Sequence, residues 1–544
     1  MTAWMFADVW EAIAAKQPDR PALIQGERVI TWGQFDARAD ALAAHLVAAG
    51  ITPEAKIAAY LYNGPEYMET YYAAFKAGVS PINTNYRYGG EELVYLFDNA
   101  DAEVVVFHAQ FAEMLDSIRA RLPSVKRYIA VAEPGHAVPA WADDYDAVVA
   151  KPPAARPFKS PWGRSPDDLM LLYTGGTTGM PKGVMWRQDD LFNVIGAGGQ
   201  ALQGVPPLTS AQEAADRLDP KGPRPPLNII CCPLMHGTGQ FSAFITFNLG
   251  GAVAVLPSRQ FNAIELWNEV ERLGADGVVI VGLAFSTPML EALEAHPGRW
   301  DLSSVKSMSS SGSMWSQENK RGLLRHVTNA MIMDSLGSSE AVGLGASASA
   351  PGAEVKTADF MLGPNCAVFT EDGRRVQPGS NERGMVAVSG FLPLGYYKDP
   401  EKTAKTFQII EGQRWSVPGD WAMVNADGSL KLLGRGSQCI NTGGEKVFPE
   451  EVEEALKNHP HVRDAVVVGV PDVRFGERIC AVVEPDGAVE LTLPDLSAHV
   501  RAQLAAYKAP RELVIVDSIG RAPNGKVDYK AVKDRALKTL GVSA

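Results

Sequence analysis

Residues Tyr173 to Trp186 read YTGGTTGMPKGVMW, directly after the apolar run Leu169 to Leu172. Gly175, Gly176 and Gly179 alternate there with the hydroxyls of Thr174, Thr177 and Thr178, and Lys182 follows a proline. Glycines in a turn after a strand let backbone N–H groups converge on an anion and leave room for its close approach. The hydroxyls add donors and the ammonium adds charge, so the stretch is built for phosphate. A nucleotide-binding loop of the P-loop kind needs Gly-Lys-Ser/Thr, and Pro181-Lys182-Gly183 does not supply it.

The elements around this loop alternate. TWGQFDARADALAAHLVAAG opens with Thr31 and Gln34, a capping-box pair, and closes on Gly50, which predicts an amphipathic helix. KIAAYLY reads as a strand, PEYMETYYAAFKAG as a helix and DAEVVVFH (101–108) as a strand; NIICCPL, AVAVLP and GVVIVG continue the series. Such alternation predicts parallel sheet covered by helices. Residues 204–227, rich in proline and charge, read as a surface insertion. After about residue 435 the composition changes to a compact α+β unit of some hundred residues. The expected fold is α/β: a large N-terminal body of stacked α/β subdomains with a β-rich portion, over 1–436, and a small α+β lid over 437–544.

Composition bounds the function. At 544 residues the chain exceeds one core, and its net charge of -12 argues against a nucleic-acid partner. No apolar run reaches the length of a membrane span, and the first residues lack a basic-then-apolar leader pattern, so a cytoplasmic protein is expected. Five cysteines, irregularly spaced, argue against disulfides or a zinc site.

Further motifs follow the glycine-rich loop in a fixed order. They are SLGSSEAVG (335–343), GFLPLGYYKDPEKTAKTF (390–407), VPGDWAMVNADGSLKLLGRGSQCINTGGEKVFPEEVE (417–453) and PNGKVDYK (523–530). Together with the loop they resemble, along essentially the whole chain, the adenylate-forming superfamily of acyl- and aryl-CoA synthetases, luciferases and nonribosomal adenylation domains. The resemblance implies a two-step ligase. A carboxylic acid is joined to AMP with release of diphosphate, and the acyl group then passes to coenzyme A, with ATP and Mg2+ consumed in the first step. Because a carboxylate must approach an anionic phosphate, positive charge has to be focused at their meeting point.

The same resemblance implies roles by position. Lys526 would contact the carboxylate and the α-phosphate, and Glu340 with Thr177 would hold magnesium. Thr174 to Gly179, Lys182, Gly312 and Ser335, Leu336, Gly337, Ser338 and Ser339 would surround the nucleotide, with Asp420 and Arg435 on its ribose. His236, Gly237, Phe241, Gly282 and Gly312 would wall the acyl group. Rotation of a mobile lid about Ser437 would bring Gly443, Gly444 and Lys446 to the thiol's path. The pattern is departed from at four positions: Ser437 replaces Asp or Lys, Leu336 an aromatic residue, Gly175 a hydroxyl, and Met385 a glutamate.

The wall stretches HGTGQFSA and VGLAFST carry small residues and no lysine or arginine, which leaves room for a wide or long acid without a second carboxylate. KGVMWRQDDLF and the insertion before NIICCPLMHG look similar to bacterial synthetases for steroid side chains. The expected substrate is therefore a fatty or sterol-derived acid, and a homodimer is compatible with this reading. Two alternatives stand beside it: a free-standing adenylation enzyme loading a carrier protein, and an ATP-binding paralogue without turnover. GLGASA (343–348) also fits a dinucleotide fingerprint, but lacks a clean strand before it and an acidic residue at the expected distance.

Overall fold

The structure, a computed structural model, describes residues 3–174, 180–200, 204–313, 315–352, 359–438, 440–442, 445–472, 476–504, 506–522 and 525–542. Two sheets form the body. In the first, Pro21–Gln25, Ala252–Val255, Leu227–Ile230, Gly277–Ile280, Ser307–Ser311 and Met331–Ser338 run parallel in that spatial order. It then turns antiparallel at Ala341–Ser349 and continues through Asp359–Leu362, Ser429–Arg435 and Asp420–Val424, which is the expected β-rich portion. In the second sheet, Ser80–Asn83, Lys56–Tyr60, Ala102–His108 and Arg127–Val131 are parallel. Beyond Ser80–Asn83 it continues into the antiparallel hairpin Leu169–Thr174 and Lys182–Arg187, in which Thr174 faces Lys182, and ends at Gly395–Tyr396.

Helices fill the space between the sheets. Every residue of Pro65–Ala77 is buried, and its aromatic side chains meet those of Phe6–Lys16 and Gly237–Asn248. Phe6 stacks on Phe75 at 5.2 Å, and Trp10 meets Phe247 edge-on at 5.2 Å. Large rings so packed fix the helices against each other, because each buries much apolar area in a defined orientation. One buried ammonium lies in the same layer: Lys76 Nζ is 2.9 Å from Glu11, 2.7 Å from Asp36 and 2.7 Å from Asp40. Burial acts against its charge, yet the three carboxylates outweigh burial and raise its pKa. These carboxylates are close enough together for a metal ion, and the lysine occupies that place.

The predicted capping box is present. Thr31 Oγ1 accepts from Gln34 N, Gln34 Oε1 accepts from Thr31 N, and the helix runs Trp32–Ala48. The segment read as a surface insertion is more than that. Leu208, Ala214 and Ala215 are buried, and the short helix Ala211–Asp216 packs on Phe6–Lys16. GLGASA lies inside the strand Ala341–Ser349, so it does not form the strand-to-helix turn that dinucleotide binding requires.

A third, five-stranded sheet belongs to the C-terminal residues. Its strands are Glu445–Val447, Ile440–Thr442, Gly476–Pro485, Val462–Asp472 and Glu512–Ile515. Helices Pro449–Lys457, Leu493–Arg501 and Tyr529–Leu540 cover it, and its valine-rich strands have cores on both faces. Among the described residues, no helix is long and apolar enough to cross a membrane.

Candidate active site

The site lies where the parallel strands of both sheets end. Two asparagines tie these ends together. Asn83, at the end of Ser80–Asn83, donates from Nδ2 to the carbonyls of Tyr173 (2.8 Å) and Met235 (2.7 Å), and its Oδ1 accepts from Tyr173 N at 2.6 Å. Asn63 donates to the Cys232 carbonyl at 3.0 Å and accepts from Leu234 N at 2.8 Å. The strand entering the glycine-rich stretch and the segment leading to His236 are thus fixed to one frame. Sequence reasoning missed both residues, because nothing in a lone asparagine reveals a partner far along the chain.

His236 is the N-cap residue of Gly237–Asn248, with extended φ and ψ of -111° and 148°. Its imidazole is pushed down to about 3, first by burial and then by the charges of Lys526 and Arg87. At neutral pH the ring is therefore uncharged, and it feels the charge of a lysine from the C-terminal sheet domain and of an arginine from the loop after Ser80–Asn83. Lys526 is exposed on its loop. Gly525, at φ +71°, brings that loop so close to the body that a Cβ would lie 3.0 Å from the Val281 carbonyl and 3.6 Å from Ser313 Cβ. An exposed ion pair, Arg463 to Glu291 at 2.6 Å, is a second contact between the two parts.

Close backbone approaches mark the neighbouring strand ends. Gly282 has φ +52° and donates from its N–H to Ser310 Oγ at 2.9 Å, while Gly312 has φ +83° beside Thr238. Thr238 Oγ1 donates to the Ser311 carbonyl at 3.4 Å. Phe241 is buried, and Phe285 is buried against Phe261.

Glu340 follows the strand Met331–Ser338. Its Oε1 accepts from Tyr396 Oη at 2.7 Å, and its backbone carbonyl accepts from Ser416 Oγ at 2.7 Å. No group among the described residues bonds its other carboxylate oxygen. A half-buried carboxylate held by one oxygen suits a hard divalent cation, which takes oxygen ligands. Ser335, Gly337 and Ser338 lie in the same strand, Leu336 packs against the core cluster that holds Leu344 and Phe360, and the Ser339 carbonyl accepts from Trp186 Nε1 at 3.0 Å. Lys182 forms an ion pair with Asp399. Asp420 is buried and sits opposite Arg435 in strand register.

Gly175, Gly176, Thr177, Thr178, Gly179, Gly443 and Gly444 lie outside the described residues, as do the side chains of Arg435, Ser437 and Lys446. The four described free cysteines include Cys232, whose thiol burial pushes up to about 12, so it is inert.

The model of the AMP-binding enzyme family matches residues 10–397, and that of the AMP-binding enzyme C-terminal domain matches 451–526. The chain belongs to the AMP-binding enzyme family. It is 39% identical to the medium/long-chain-fatty-acid–CoA/3-oxocholest-4-en-26-oate–CoA ligase of Mycolicibacterium smegmatis, over 97% of this chain and 96% of that one. It is also 39% identical to the 3-oxocholest-4-en-26-oate–CoA ligase of Rhodococcus rhodochrous, over 97% and 95%. The crystal structure of an anthranilate CoA ligase in complex with anthranoyl-AMP superposes with a TM-score of 0.84 at 20% identity, each chain covered in full. As an AMP-binding enzyme of this kind, the chain is an ATP-dependent acyl-CoA synthetase. It uses ATP, Mg2+ and coenzyme A to adenylate an acid and then form its thioester.

Proposed function

We propose that the acid is a medium-to-long-chain fatty acid or a bulky sterol-derived acid. The observation that carries this reading is the wall beyond His236. It is built from Gly237, Phe241, Gly282 and Gly312 with no lysine or arginine in Gly237–Asn248 or in 281–287, so the cations Lys526 and Arg87 stand only at the carboxylate end. The names of the relatives above agree with it.

In this reading Lys526 meets the carboxylate and the α-phosphate. Neutral His236 lines the acyl carboxylate site without adding a third positive charge, so the cations near it are not opposed by their neighbour. Gly175, Gly176, Thr178 and Gly179 cradle phosphate with Thr174 and Lys182, and Glu340 with Thr177 holds Mg2+, which when bound neutralises phosphate charge. Gly312 and residues 335–339 flank the adenine, Asp420 accepts from the ribose hydroxyls, and Arg435 contacts the same sugar. The body ends at 436. Residues 437–544 then turn about Ser437, so that Gly443, Gly444 and Lys446 meet coenzyme A in the second step. The enzyme acts in the cytoplasm, and a homodimer is compatible with this reading.

A diphosphate-release assay across fatty, aryl and steroidal acids tests the substrate class. Release confined to small aryl acids would refute it. Supplying coenzyme A and a holo carrier protein separately tests the thiol acceptor.

A further inference from the structure

The segment Gly395–Thr403 touches both charge-handling parts of the site. Gly395 and Tyr396 pair in antiparallel register with Met185 and Val184, on the strand that leaves the phosphate loop. Gly395 has φ +148°, and a Cβ there would fall 2.4 Å from Thr403 Cγ2, so only glycine admits the turn that follows. That turn is closed by its own polar groups. Tyr396 N donates to Thr403 Oγ1 at 2.9 Å, Thr403 Oγ1 donates to the Asp399 carbonyl at 2.7 Å, and Asp399 Oδ1 accepts from Lys402 N at 2.9 Å. From this rigid base two side chains reach out. Asp399 pairs with Lys182, and the buried Tyr396 donates to Glu340 Oε1 at 2.7 Å. Lys402 Nζ sits 4.3 Å over the Tyr396 ring and confines it further.

We infer that Tyr396 is a positioning residue for the Glu340 carboxylate, and that the Gly395–Thr403 turn registers this carboxylate against the strand leaving the phosphate loop. The inference rests on the reading of Glu340 as the residue that holds Mg2+. A small divalent cation demands near-ideal oxygen geometry, and a carboxylate free to rotate meets that demand less often. A tyrosine hydroxyl fixed to one oxygen aims the other. Hydrogen-bonded partners of ligating carboxylates commonly govern metal affinity by ten- to hundred-fold.

The test compares the parent enzyme, Tyr396→Phe and Glu340→Gln. Mn2+ is titrated, with free ion read by electron paramagnetic resonance, into protein saturated with a non-hydrolysable ATP analogue. The Mg2+ dependence of diphosphate release is measured in parallel. Tyr396→Phe removes one O–H from a side chain that is otherwise retained, so it is expected to weaken Mn2+ affinity about tenfold. The Mg2+ needed for half-maximal release should rise by the same factor, with an unaltered circular dichroism spectrum. If Glu340→Gln weakens Mn2+ binding and Tyr396→Phe does not, the positioning role is wrong. If Glu340→Gln itself leaves Mn2+ binding as in the parent, the assignment of the metal to Glu340 is wrong.

Discussion

Asn83 holds Tyr173 by both sides of its backbone, donating to its carbonyl at 2.8 Å and accepting from its N–H at 2.6 Å, while a second donor hydrogen reaches Met235. One amide thereby ties the strand that enters the glycine-rich stretch to the segment that carries His236. Asn83→Ala would leave three buried backbone groups without a partner, and each costs about 1–3 kcal/mol. The expected result is a loss of roughly 3 kcal/mol in denaturant unfolding and a raised KM for ATP. Parent-like stability would show that water or a shift of the strands replaces the amide.

Lys76 gives a second prediction, on stability alone. Lys76→Met leaves Glu11 to Arg164 and Asp36 and Asp40 to Arg156 in the helix layer, where removing one partner of a buried charge cluster costs about 3–5 kcal/mol. Because, against burial, Glu11 is held below the usual carboxylate range by Arg164 and by this lysine, the variant loses part of that support, and its loss of stability should shrink as pH is lowered. Unfolding curves at pH 7.5 and 5.5 check this; a larger loss at the lower pH contradicts it.

Two deeply buried histidines, His108 and His236, shape the pH response. His108 is buried and held down to about 3, chiefly by burial and then by Arg259, against 6.5 when unfolded. The unfolded chain therefore binds a proton between these limits that the folded chain refuses. Stability is full above about pH 6.5 and falls as pH drops toward 3, by roughly 1.4 kcal/mol per pH unit for one such group. His108→Phe should flatten part of that slope in urea titrations at pH 7 and 5.

His236 gives a prediction about rate. With its ring pushed down to about 3, adenylation should show no inflection near pH 6.5 that vanishes in His236→Gln. A limb of that kind in kcat/KM for the acid would mean that the ring does take up a proton in the working enzyme.

Lys526→Ala should abolish diphosphate release yet spare thioester formation from preformed acyl-adenylate, since the charge is needed where two anions meet. Equal loss of both steps would reject the assigned role.

What was legible in the sequence follows from distance along the chain. The strand, glycine-rich turn and lysine of 169–182 are contiguous, and so are Thr31 and Gln34, whose reciprocal hydrogen bonds appear as expected. The motif around Gly395 could be quoted but not explained, because its function depends on meeting Glu340, Lys182 and Met185 across the fold. Leu208 and Ala214 were hidden in a proline-rich stretch that looks solvated, although helix packing on Phe6–Lys16 buries them. Arg87 carries no local mark of its proximity to His236.

The Lys526 loop lands, at Gly525, on the main-chain oxygen and the Cγ1 of Val281, with Ser313 Cβ beside them. These two residues fix the height of the loop. Redesigning other side chains for a longer tail or a fused ring system would leave that landing place intact. Substrate range and reactive geometry can be altered separately in this scaffold.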